Sequence, residues 1–372
     1  MKATKARSTE PSGPAERAHG VSPTGSGAEG LTDQAKTLLQ EEKYEEAIAV
    51  LKKALTLDPN YARAIYAWGF ALNQLEKAPE AIKKFRRACK IDPKFAQAFA
   101  FWGDTLERLG RLDEAIEKYR QATVADPKCS YVYGWLGQAL AELGKHSEAI
   151  EQYQRAAQLD RRQECVFLNW ADTLVELGRR KEALEKYRRA IRIDPEFDVA
   201  FAHWGETLED MDRLREACKK YERAVEIDPT YSWAYYRWGV TLKSLKLHEE
   251  AIQKFQRVTE LKPDHYPAYG NWGESLAALE RFREAIDKFE RAIKINPRCD
   301  WVLMSWGDVL DQIGRRNEAT KKYDLAVELD DRNSMFLKSR RSLSTGIFAN
   351  PLRRGVLEMA ILKRQRSRRS SQ

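Results

Sequence analysis

The stretch "FWGDTLERLGRLDEAIEKY", residues 101–119, decides the fold because the chain keeps restating it. It returns as "HWGETLEDMDRLREACKKY" (203–221), "NWGESLAALERFREAIDKF" (271–289) and "SWGDVLDQIGRRNEATKKY" (305–323). Its Trp-Gly step occurs at Trp68-Gly69, Trp102-Gly103, Trp204-Gly205, Trp238-Gly239, Trp272-Gly273 and Trp306-Gly307. Every gap equals the interval from Trp68 to Trp102 or a multiple of it. Leu136-Gly137 and Trp170-Ala171 fill the two slots between, and Gln34-Ala35 lies one period before Trp68. Nine units therefore run from about Ala28 to Asn333. A fixed period in the range of about 20–50 residues marks stacked supersecondary units.

Each unit is numbered so that its Gly is position 8. Positions 4, 7, 11 and 14 are apolar in the third unit (Phe99, Trp102, Leu106, Leu109). Their steps of three and four are helical. Position 11 is Leu and position 20 is Ala in all nine units, while position 24 is Tyr or Phe in all but the first, which has Leu51. A second stripe at positions 20, 21, 24 and 27 makes each unit two amphipathic helices, A and then B. Gly110, Gly144, Gly178 and Gly314 stand where helix A should stop. Pro59, Pro93, Pro127, Pro195, Pro229, Pro263 and Pro297 follow helix B. Proline disfavours helical geometry in the residue before it, so each ends a B helix. Glu at position 19 precedes Lys at position 23 in seven units. That order supports a helix by about 0.3–0.5 kcal/mol per pair. The small residues at 8 and 20 let the two helices approach, with the Trp at 7 expected to fill the wedge toward the next unit.

These residues resemble the tetratricopeptide repeat family over about four-fifths of the chain. Trp-Gly stands where the family has Leu-Gly at 7 and 8; the aromatic at 24, Ala at 20 and 27 and Pro at 32 match almost throughout. Departures are Gln34, Trp135-Leu136, Val258, and Arg161 and Asp331 in place of Pro. The resemblance implies an all-α, right-handed superhelical solenoid of helix-turn-helix repeats whose A face lines a groove for peptides or proteins. The family's carboxylate clamp needs Lys at 5 and Asn at 9, which are absent, and the asparagine ladder at 6 is reduced to Asn169 and Asn271.

At about 100° per residue, position 9 points away from the apolar stripe, toward the groove face. It carries Asp104, Gln138, Asp172, Glu206, Glu274 and Asp308, with Glu107, Glu142, Glu176, Glu209, Asp210 and Asp311 beside it at 12 and 13. Aromatic residues on the same face are Tyr66, Phe70, Tyr131, Trp233 and Tyr236. Two readings follow. The acids bond neighbouring A helices or water, or they form a ladder that holds a Lys/Arg-rich segment between aromatic anchors.

The net charge of +8 belongs to the ends: residues 1–27 carry +2, residues 334–372 carry +9, and the repeats carry −3. Residues 1–27, rich in Pro, Gly, Ser and Ala, are expected to be disordered. "SMFLKSRRSL" after Asn333 is expected to cap the last unit, and 334–372 ends in a basic, serine-bearing tail. That tail offers three roles beyond a solvated end: contact with nucleic acid, contact with an anionic membrane, or a return into the chain's own acidic groove. The bases at position 26 give a weak nucleic-acid stripe. No secretory signal or long apolar run is present, and five unpaired cysteines suit a reducing, cytoplasmic setting. Five scattered histidines, no paired cysteines, no phosphate loop and no nucleophile elbow leave no catalytic, metal, cofactor or small-molecule site. The expectation is a non-enzymatic protein-interaction scaffold, with a tail-based nucleic-acid or membrane adaptor as the alternative.

Overall fold

The computed structural model describes residues 27–329. The expected disordered N-terminal segment, apart from Gly27, and the expected cap and basic tail over 334–372 lie outside the described residues. Among the described residues there are eighteen α-helices and no strand. The A helices are α1 (Gly27–Gln40), α3 (Ala62–Gln74), α5 (Ala96–Arg108), α7 (Ser130–Glu142), α9 (Glu164–Glu176), α11 (Asp198–Asp210), α13 (Ser232–Ser244), α15 (Tyr266–Ala278) and α17 (Asp300–Gln312). The B helices are α2 (Tyr44–Leu57), α4 (Ala78–Ile91), α6 (Leu112–Ala125), α8 (His146–Leu159), α10 (Arg180–Ile193), α12 (Leu214–Ile227), α14 (His248–Leu261), α16 (Phe282–Ile295) and α18 (Arg316–Leu329). The 34-residue register is thus expressed as nine helix pairs, in two compact units, Met1–Thr207 and Leu208–Gln372.

Every helix pair but the first, which has Leu51 there, carries an aromatic ring at position 24 between its helices. Tyr119, Tyr153, Tyr187, Tyr221, Phe85, Phe255 and Phe289 are at most 1% exposed, against the fully buried Ala at position 20. That ring also explains the glycine at position 8. A Cβ on Gly103 would stand 2.7 Å from the Tyr119 ring, and one on Gly273 would stand 2.5 Å from the Phe289 ring. Close approach, not backbone freedom, is what glycine supplies there.

The Trp at position 7 packs between repeats, as Trp68, Trp102 and Trp170 do against the buried core of the preceding repeat, but it is not sealed there. Apart from Trp306, which is 9% exposed, it is half-buried, usually with a lysine across its face. Lys84 Nζ stands 3.3 Å from the Trp68 ring centre, Lys186 3.4 Å from Trp170, Lys254 3.8 Å from Trp238 and Lys322 3.5 Å from Trp306. An ammonium over an indole is drawn to the negative π face, and its alkyl stem covers the ring. Desolvation lowers the pKa of all four lysines.

Helical spacing pairs these lysines with Glu at position 19. In five units that Glu instead accepts two bonds from the Arg at position 16, as Glu114 does from Arg111 at 2.7 Å. The planar guanidinium fork fits a carboxylate better than a single ammonium can. These pairs are exposed and serve mainly to fix the start of helix B.

Helix A ends one residue before position 14, and in three repeats that side chain leaves the buried face. Leu109, Leu177 and Ile313 are 47%, 40% and 37% exposed, contrary to the apolar stripe that included them. Position 15 is left-handed whether or not glycine occupies it: Gly110 has φ 75°, and Glu42, Glu76, Asp212, Lys246 and Glu280 have φ near 60°. At most B-to-A turns the residue before the proline position also closes the turn with its side chain. Asp58, Asp92, Asp126 and Asp160 each accept the N–H two residues on at 2.9 Å. The turn after Asp160 therefore forms although Arg161 replaces Pro.

Candidate peptide-binding face

Cα atoms of successive A helices come within 8 Å of one another in each unit: α1 with α3, α3 with α5, α5 with α7 and α7 with α9 in the first, and α13 with α15 and α15 with α17 in the second. Among the described residues the B helices α2, α4, α6 and α8 make no such mutual approach. Within a unit the A helices therefore crowd together on one side, and a polar ladder forms between them.

In the first unit the ladder joins carboxylates mostly to neutral donors. Tyr119 Oη donates to Glu107 at 2.8 Å, and Gln138 Nε2 donates to the same carboxylate at 3.2 Å. Gln138 Oε1 accepts from Asn169 Nδ2 at 3.2 Å. Asp172 accepts from Tyr187 Oη at 2.7 Å and bonds His203 Nδ1 at 3.0 Å. Burial, reinforced by the Asp172 charge, pushes the Tyr187 phenol well above its ordinary pKa.

In the second unit the ladder is charged. Glu209 accepts from Arg237 and from the Thr241 hydroxyl. Lys243 Nζ donates to Asn271 and to Glu274, each at 2.5 Å, and Glu274 accepts from Ser305 Oγ at 2.8 Å. Asp308 accepts from Tyr323 Oη at 2.8 Å.

Asp172, Glu274 and Asp308 thus hold one repeat to itself or to the next. Asp104 and Gln138 are each 8% exposed; Glu206 is half-buried. Arg237 and Lys243 offset two of the carboxylates, so the face is not uniformly acidic. Across both units, the A helices still carry sixteen Asp and Glu against five Lys and Arg, while the B helices have an excess of seven positive charges.

The aromatic candidates fall into two places. Tyr66 and Tyr131 belong to a row in the first unit, in which Tyr66–Phe101, Phe70–Phe101, Phe101–Trp135 and Tyr131–Trp135 ring centres lie 5.8, 5.4, 5.4 and 5.0 Å apart. Tyr236, in the second unit, packs 4.9 Å from the His265 ring. Sequence reasoning missed Phe101, Trp135, His203 and Arg237. All four occupy position 6, where Asn169, Asn271 and Ser305 also join the ladder. The signal was the variability of that position between otherwise uniform repeats.

The position-26 bases face the other way. Arg87, Arg189 and Arg257 donate to the carbonyls of Pro59, Arg161 and Pro229 in the preceding repeat, at 2.5, 3.4 and 3.4 Å. They act as staples between repeats.

Models of the tetratricopeptide repeat match residues 102–164, 266–299, and 166–197 with 234–265, and a TPR repeat model matches 35–76. With nine helix pairs in register, the chain belongs to the tetratricopeptide repeat family. It is similar to solved solenoid structures. One, from a functional characterisation of Pseudomonas aeruginosa pilF, is 21% identical with a TM-score of 0.50, covering 55% of this chain and 92% of that one. YrrB, described as a TPR protein with an unusual peptide-binding site, is 20% identical with a TM-score of 0.45, covering 51% and 97%. MamA from Desulfovibrio magneticus RS-1 is 18% identical with a TM-score of 0.44, covering 45% and 96%. No curated protein matches the chain.

Among the described residues no group of His, Cys, Asp and Glu has the arrangement to hold a metal ion, and no helix is long and apolar enough to cross a membrane. The five cysteines are free thiols.

Proposed function

We propose that the chain is a non-catalytic scaffold that binds a peptide or protein partner on its helix A face. The observation that carries this reading is the separation of charge between the A and B helices, with acids concentrated where successive A helices crowd together. A Lys/Arg-rich segment suits that face, because its cations can share carboxylates whose second oxygen or remaining lone pairs still accept. Glu142, Glu176, Asp210 and Asp311 are exposed and supply further acceptors. The binding residues on this reading are Asp104, Gln138, Asp172, Glu206, Glu274, Asp308, Tyr66, Tyr131 and Tyr236, some of them shared with the inter-repeat ladder. The basic segment at 351–372 is a candidate occupant in the absence of a partner, since it bears the opposite charge on the same chain. Unpaired thiols are consistent with a cytoplasmic setting.

The test is anisotropy of a labelled Lys/Arg-rich peptide with the full chain at low and high salt. Binding should weaken as salt screens the carboxylates. Equal binding of a Glu-rich peptide of the same length, or indifference to salt, overturns the reading.

A further inference from the structure

We propose that Phe101 and Trp135 form an apolar anchor site, and that the partner's segment pairs one bulky apolar side chain with nearby lysines or arginines. The inference rests on the scaffold reading and names the chemistry of its ligand.

The register itself shows that these aromatics are not required by the fold. Both occupy position 6, which in α9, α11, α13, α15 and α17 holds Asn169, His203, Arg237, Asn271 and Ser305. With polar residues there, α9, α11, α13 and α15 keep the same length and the same buried ring at position 24. Phe70 makes a parallel exchange at position 9, where five other units have Asp or Glu. The apolar substitutions are gathered on α3, α5 and α7, and their rings touch in one row. Phe101 and Trp135 remain half-buried in the free chain, so part of each ring still faces water. Covering that remainder is favourable, and rigid aromatic side chains lose little entropy when they are covered.

Charge defines the rest of the ligand. Glu142 lies two helical turns after Trp135 on α7. At the rise of an α-helix this places it about 10 Å along the same face. Glu176 lies at the equivalent place on α9 and is 60% exposed, with His146 Nδ1 at 3.4 Å. Two acceptors stand beside an aromatic row, within one compact unit. A segment with an apolar anchor on Trp135 and cations near the end of α7 and on the next repeat satisfies both.

A library of 12-residue displayed peptides panned against the full chain tests this. Enriched peptides should combine a bulky apolar residue with two or more Lys or Arg. Phe101→Asn and Trp135→Asn, which borrow residues the chain already uses at that position, should each weaken them about tenfold. Trp135→Phe should retain binding. Glu142→Lys and Glu176→Lys, at exposed positions that leave the core intact, should also cost about tenfold, so the test does not depend on the aromatic variants folding. Binders that ignore all four substitutions overturn the anchor site but leave the scaffold reading standing. Enrichment of acidic peptides, or no enrichment at all, overturns both. If a synthetic peptide of residues 351–372 displaces the selected peptides with equal affinity, the occupant is the chain's own C-terminal segment, and the external partner is overturned.

Discussion

The two compact units share one scaffold and differ on the side where their A helices meet. In the first, Phe101 and Trp135 occupy position 6 of α5 and α7, and the ladder is built from Tyr, Gln and Asn around the carboxylates of Glu107 and Asp172. In the second, Arg237 and Lys243 are drawn into ion pairs with Glu209 and Glu274 whose side chains are mostly covered. The buried rings at position 24 are the same in both. Stability thus comes from positions that hardly vary, which leaves position 6 open to become aromatic at Phe101 and Trp135 in one unit and cationic at Arg237 in the other.

The largest test of this contrast is to remove the acceptor from each ladder. Glu209→Ala takes the carboxylate from Arg237, whose side chain is 15% exposed. That change should cost about 3 kcal/mol, because a covered charge loses its partner. Glu107→Ala takes the acceptor from two neutral donors, Tyr119 and Gln138. Its cost should be smaller, about 1–2 kcal/mol. Urea denaturation of each variant checks the order, and equal losses would erase the distinction between the ladders.

Thiol labelling can assign such losses to one unit. Burial raises Cys89 and Cys165 to about 12 in the first unit, and Cys218 and Cys299 to about 11 in the second. At pH 8 the native thiols therefore stay protonated, and alkylation should be at least about a hundredfold slower than for an unfolded cysteine. A raised acid pKa in the folded state favours folding below the unfolded value near 9, and that contribution disappears as pH rises through 11–12. Labelling followed by peptide mass mapping should show Cys218 and Cys299 opening first in Glu209→Ala. Fast labelling of every cysteine in the unaltered chain at pH 8 would contradict the burial.

The smallest effect compares equivalent turns. Glu76 in the first unit and Glu280 in the second hold φ of 58° and 60°, where Gly110 performs the same turn without strain. Glu76→Gly and Glu280→Gly should each raise stability by up to about 1 kcal/mol, read as an upward shift in melting temperature. Destabilisation at either position would show that the Glu side chain contributes more than its backbone costs.

Much of the architecture is legible because it depends on spacing. Leu at 11, Ala at 20 and an aromatic at 24, repeated at one fixed interval, admit one arrangement of paired helices. The partners of the charged residues are less legible. Helical spacing pairs Glu182 at 19 with Lys186 at 23, yet Arg179 at 16 reaches that carboxylate bidentately and the lysine turns onto the Trp170 indole. Angle alone places the acids at position 9 on the groove face, but the groups that approach them come from helix B of the same repeat or from a neighbouring repeat. Asp172 meets His203, and Glu274 meets Ser305, each nearly a full repeat further along the chain.

The sequence by itself determined the helix pairs, their number and their buried stripes, because hydrophobic periodicity is local and each unit repeats it. Only the tertiary structure decided that the position-24 ring fills the core, that lysine covers the tryptophan, and that position 6 separates an aromatic face from a charged one. Those outcomes turn on distances between side chains of different helices, which helical phase does not specify.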